Sequence, residues 1–118
     1  MLSEIISKID TSSPIMWIVW AIGLHITNTA LGIYMALMGR RKWAKTVHQG
    51  LFLSVLVCIF SFIISYDFEG RVEFMDFVVA IYFAVAIPLS KQQHPMIHAF
   101  AATVGLTLLP LLILLKVL

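Results

Sequence analysis

At 118 residues, with 61% hydrophobic and only 12% charged positions, the chain carries more apolar surface than a water-soluble domain of its size can bury. A net charge of +2 is too small to argue for nucleic acid, and a single cysteine excludes both an intramolecular disulfide framework and a CxxC metal motif. The mean hydropathy of +1.00 suits a bilayer as solvent, so composition predicts an all-α integral membrane protein.

In chain order, residues 1–13 do not read as a cleavable signal, because Glu4 and Asp10 interrupt them and no basic stretch precedes an apolar core. Leu2, Ile5, Ile6 and Ile9 fall at i, i+3, i+4 and i+7, with Ser3, Glu4, Lys8 and Asp10 on other faces. That pattern predicts a short helix lying in the membrane interface. Ser13 then caps a helix whose first turn accepts Pro14. A first transmembrane helix is expected over about 15–38, with Trp17 and Trp20 near one interface. Gly39 and the basic cluster Arg40, Arg41, Lys42 and Lys45 end it, and a second follows over about 47–66. The polar turn Asp67, Glu69, Gly70 and Arg71 leads to a third, about 72–89, with Glu73 and Asp76 near its edge and Pro88 near its end. This segment is short against the ~20 residues a bilayer asks for. Pro95 opens a fourth, about 95–117.

Short connections favour antiparallel neighbours, so the expected architecture is a four-transmembrane-helix up-down bundle forming one membrane domain. Arg40, Arg41, Lys42, Lys45 and Lys91 lie in loops on one side, whereas Asp67, Glu69 and Glu73 lie on the other. The positive-inside rule puts the basic side in the cytoplasm and both termini outside, in what we expect to be a prokaryotic plasma membrane.

Stepping residues at 100° places Ala21, His25, Asn28, Thr29, Gly32, Ala36 and Gly39 on one stripe of the first helix. His98, Ala101, Ala102 and Gly105 share a face of the fourth, with His94 one turn before His98. Polar and small residues in a membrane helix turn toward other helices, because lipid cannot satisfy the former and the latter permit close approach. The second helix carries a seam of Gly50, Ser54, Cys58, Ser61 and Ser65, read as a packing surface, with His48 about 120° away from it. His48 and His94 fall at the basic edge, where an imidazole is readily solvated. His25 lies roughly 20 Å from the basic loop at 1.5 Å per residue, so it is either an interhelical hydrogen-bonding group or a functional one.

Histidines on facing helices with glycine and alanine beside them suit haem b, which needs axial imidazoles and room for a flat ring. His48 and His98 share the basic edge and make the better bis-histidine or metal pair, with His25 and His94 as further candidates. Antiparallel packing puts His25 and His98 at different depths, which leaves His25 for a second pigment or a hydrogen bond. A copper or zinc site on His48, His94 and His98 has suitable ligands but no carboxylate or thiolate nearby. No catalytic triad, phosphate loop or paired intramembrane carboxylate appears, so no enzyme activity is expected, and Asp76 is read as interfacial.

The stretch from Leu24 to Tyr66 runs through Gly39-Arg40-Arg41-Lys42 and Val47-His48-Gln49 to Phe60-Ser61-Phe62-Ile63-Ile64-Ser65-Tyr66. Pro88-Leu89 is followed by His94 or His98, Ala101-Ala102-Thr103 and Leu109-Pro110-Leu111. These segments resemble the small four-helix membrane proteins of the CtaM type, associated with maturation of haem-copper cytochrome oxidases; similarity to b-type cytochrome bundles is weaker. The third helix lacks the histidine usual in the CtaM type, and His25 is extra. The resemblance implies a membrane subunit or assembly factor of a respiratory or electron-transfer complex, partnered by the bilayer and by other membrane subunits. Two alternatives stay open: a non-catalytic accessory subunit of a larger membrane complex with no cofactor, and copper handling.

Overall fold

A computed structural model describes residue 3 and residues 15–39, 41–68, 70 and 72–117, with side chains as far as 115. The interfacial helix expected over 1–13 and the Ser13 cap lie outside the described residues. All regular structure among the described residues is helical: α1 Ile15–Met38, α2 Lys42–Phe68, α3 Phe74–Ser90 and α4 Pro95–Val117. Three of these, α1, α2 and α4, are long and apolar enough to cross a membrane, whereas α3 is shorter.

Helix α1 packs against α2 on one side and α4 on the other, and α3 fills in between α2 and α4. The core is one cluster in which Ile18 and Ala21 of α1 meet Val55, Ile59 and Phe62 of α2, Val79 and Phe83 of α3, and Leu109 and Leu112 of α4. Around it the outward faces are apolar too. Ile26, Ile33, Leu53, Val57, Phe60, Phe77, Ile81, Val85 and Phe100 are all exposed.

Helix ends follow local chemistry. Gly39 closes α1 with φ +93°, its amide returned to the Met35 carbonyl at 3.0 Å. Only glycine takes that left-handed conformation without strain, so the chain can turn at once into α2. Helix α2 begins at Lys42, earlier than the apolar run suggests, because lysine and tryptophan are acceptable helix residues at a wet end. At the start of α3, Asp76 Oδ2 accepts the main-chain N–H of Glu73 at 2.9 Å, as in a capping box. Asp76 is therefore not a wet interfacial residue: it is 1% exposed, and closing the first turn gives it a reason to be inside.

Two features depart from sequence expectation. Residues Tyr82–Ala86 form a π turn inside α3, which lets successive residues face α4. The small-residue seam of α2 is buried only in part: Cys58 lies in the core and Ser61 and Ser65 are half-buried, but its first two residues are outside. Gly50 and Ser54 are exposed, and Ser54 donates to the Gly50 carbonyl of its own helix at 2.9 Å. A hydroxyl satisfied one turn back needs no partner helix, so Val55, Ile59, Phe62 and Tyr66 take the interior instead. Replacing Asp76 with alanine removes the cap acceptor and should lower stability by about 1 kcal/mol. Asp76→Asn, which keeps a side-chain oxygen, should recover most of that loss in detergent unfolding followed by circular dichroism.

Candidate functional site

Gly105 shapes the site. In an α-helix the carbonyl of residue i points toward the side chains at i+3 and i+4, whose Cβ atoms lean back over it. With no Cβ at 105, the carbonyls of Ala101 and Ala102 are open on that side. Both take a second donor from another helix. Tyr82 Oη donates to the Ala101 oxygen at 2.6 Å, and the His25 ring places Nε2 2.8 Å from the Ala102 oxygen. A Cβ at 105 would lie 2.8 Å from Phe83 Cζ, 3.2 Å from His25 Nε2 and 3.3 Å from Ile87 Cδ1. Phe83 presents its edge or face to the His25 ring at 5.0 Å between centroids, with the planes 72° apart.

A carbonyl can only accept, so His25 donates through Nε2–H, and in the neutral ring Nδ1 carries the lone pair. His25 is 2% exposed, and its Nδ1 is buried with no hydrogen-bond partner. The side-chain oxygen of Asn28, itself 4% exposed, and the Thr29 hydroxyl are in the same condition. Each such group costs about 1–3 kcal/mol if nothing satisfies it. All three residues line a cavity of about 190 Å³, with Phe52, Ile87 and Pro88 on its apolar side and His48, Gln49, Lys91, His98 and Ala102 also in its wall.

His98 is set by a relay. The Ser90 hydroxyl donates its one proton to the Ile87 carbonyl at 2.6 Å. Its oxygen lies 2.9 Å from His98 Nδ1 and can therefore only accept there, which puts the ring proton on Nδ1 and the lone pair on Nε2. An imidazole oriented through its second nitrogen is the usual form of a metal-ligating histidine. His48 stands 6.4 Å away between ring centroids, with planes 75° apart. Gly32 of α1 lies beside it: a Cβ there would sit 3.5 Å from His48 Cε1, an ordinary van der Waals contact.

A second, larger cleft of about 480 Å³ adjoins the first and shares Thr29, His48, Lys91, His98 and Ala102 with it. Gly32, Ala36, Gly39 and Ala99 line it, and Lys45 and Lys91 place two cations on its wall. The structure thus brings His25, His48 and His98 around one cavity. Their separation by depth is smaller than residue counting suggests, because Ala102, the acceptor for His25, lies one turn beyond His98. His94 stands apart. It precedes α4, is exposed, and its Nδ1 accepts the Met96 N–H at 3.1 Å, so it caps the helix and lines neither cavity. Among the described residues no group of three His, Cys, Asp or Glu side chains is placed to hold a metal ion, so the copper or zinc arrangement on His48, His94 and His98 is not assembled. Ser90, Phe83 and Tyr82 carry no sequence signal of their roles: a lone serine at a helix end and two aromatics in an apolar run look like packing.

No family model, curated protein or solved structure matches the chain.

Gly105→Ala should destabilise the protein by about 1–3 kcal/mol, the range for overpacking a close contact. It should also weaken the His25–Ala102 hydrogen bond, read as a change in the ¹⁵N shift of His25 Nε2. A variant that keeps the wild-type shift and melting curve would contradict the role given to this glycine.

Proposed function

We propose that this chain is a four-span membrane protein of a respiratory or electron-transfer complex, either a haem-handling subunit or an assembly factor, in which His48 and His98 hold haem b. The observation that carries the proposal is the His48–His98 pair: ring centroids 6.4 Å apart, with the His98 ring oriented by Ser90. Two imidazoles on opposite sides of one metal, at metal–nitrogen bonds of about 2.0 Å, have ring centres on the order of 6 Å apart. The adjoining cleft supports the reading with small-residue walls and with Lys45 and Lys91, whose cations suit the carboxylates of the macrocycle. Haem b held there would carry single electrons, with a potential tuned by its axial imidazoles. The chain's own part is to orient the ligands: Ser90 fixes the His98 tautomer. The resemblance to the CtaM type points the same way, since His48 and the basic turn before it are among the positions that carry it.

Membrane insertion is supported by the apolar outer faces. On α3, the shortest helix, Phe74, Phe77, Ile81, Val85 and Leu89 are all exposed, as a lipid-facing span would have them. Lys45 and Lys91 line one cleft, so the two basic loops share an end of the bundle. By the positive-inside rule that end is cytoplasmic and both termini are outside. A second reading is an accessory subunit without a cofactor. The exposed surface of Gly50, Leu53, Ser54 and Val57 on α2 favours it, because small residues among apolar ones admit a partner helix closely.

The purified protein in mild detergent should show a Soret band after haem loading. His48→Ala and His98→Ala should each lose it, and Ser90→Ala should bind haem at least about tenfold more weakly, the usual loss for a residue that orients a ligand. A colourless protein that co-purifies with larger membrane subunits would overturn the haem reading in favour of the accessory one. For topology, a membrane-impermeant maleimide should label Asp67→Cys in intact cells and Lys91→Cys only after the membrane is opened; the reverse pattern would invert the orientation.

A further inference from the structure

Three residues of the inner cavity keep hydrogen-bonding capacity that the proposed haem site does not use. His25, Asn28 and Thr29 line it from one face of α1, at i, i+3 and i+4, and each has a buried polar atom with no protein partner: His25 Nδ1, the Asn28 side-chain oxygen and the Thr29 hydroxyl. Two of these residues are more than nine-tenths buried. Their chemistry is one-sided. With Nε2–H engaged by Ala102, His25 offers a lone pair at Nδ1; the unpartnered atom of Asn28 is its carbonyl-type oxygen, an acceptor, and the Thr29 hydroxyl can accept or donate. A ligand satisfying them must bring hydrogen-bond donors. The remaining walls select the rest of it. Phe52, Ile87 and Pro88 give the cavity an apolar side, where a cluster of water molecules would leave hydrogen bonds unmade. A volume of about 190 Å³ accommodates a single ring with small substituents.

We propose that this cavity binds a neutral aromatic alcohol, a phenol or hydroquinone of the kind that dissolves in a bilayer, with its hydroxyl donated to His25 Nδ1 and its ring against Phe52, Ile87 and Pro88. Asn28 and Thr29 read the same polar edge. His48 and His98 belong to the wall of this cavity as well, but the hydrogen-bonding groups that would hold the phenol belong to α1, and His25 is anchored level with Ala102 rather than with His98.

The test uses the full chain in detergent micelles, without added haem, and two probes of matched size: 4-ethylphenol and its methyl ether. In ¹⁵N-histidine spectra the His25 Nδ1 resonance should move on titration with the phenol and saturate. The methyl ether, which keeps the ring and loses the donor, should require at least tenfold higher concentration. Asn28→Leu and Thr29→Val each leave the His25–Ala102 bond in place and should weaken phenol binding several-fold, whereas His94→Ala, at a residue that lines neither cavity, should leave it within twofold. Equal response to phenol and ether would overturn the proposal, because it would mean unspecific partitioning. An unmoved Nδ1 resonance with both probes would overturn it as well, leaving a cavity that is hydrated only. Neither result bears on the Soret band, which tests the haem site separately.

Discussion

The close approach of three helices at Gly105 is the constraint on which the rest of the site depends. A side chain there would occupy the space where the His25 ring, Phe83 and Ile87 converge. Its absence opens two successive carbonyls of α4, and α1 and α3 each anchor to one of them. In a low-dielectric interior such bonds are strong and their loss is costly. They also fix which nitrogen of His25 carries the proton, and so leave its Nδ1 as an acceptor. Packing and site chemistry thus follow from the same missing methyl group.

The outer surface obeys a different rule. Apolar side chains cover the outside of all four helices, while the few polar groups turn inward or bond to their own backbone. Thr27 and Thr103, both exposed, donate to carbonyls four residues back and so present no unsatisfied hydroxyl outward. This is the distribution expected where the surroundings cannot hydrogen-bond. On α2, valine, isoleucine and phenylalanine fill the core while Gly50 and Ser54 are left outside.

That last point marks the limit of what could be read from the chain. The ends of α1 and α4 are legible because glycine and proline punctuate them, and the inward stripes of both helices show in the 100° spacing of His25, Asn28, Ala102 and Gly105. The seam on α2 is a guide only in part: Cys58 reaches the core, whereas Gly50 and Ser54 are exposed, because the rule that small residues face helices holds only where a neighbour meets them. The start of α3 hides a buried Asp76, since a carboxylate near a helix end looks wet until its cap partner is known. The company that His25 keeps with His48 and His98 depends on the stagger of α1 against α4, which no single helix encodes. The Ser90–His98 relay crosses a turn between two helices and leaves no periodic trace.

The π turn in α3 sets the phase of everything after it. One extra residue in a helix rotates the following segment by about 100° relative to what precedes it. Tyr82 and Phe83 meet α4 before or within that turn, and Ser90 meets His98 after it. The two contact groups are therefore in register with the same neighbour only because the helix is wound off its normal pitch between them. A shortening by one residue would be invisible to hydropathy and would cost little local helix stability. It would nevertheless uncouple the deep anchor from the ligand-orienting serine, so here chain length rather than residue identity carries the information.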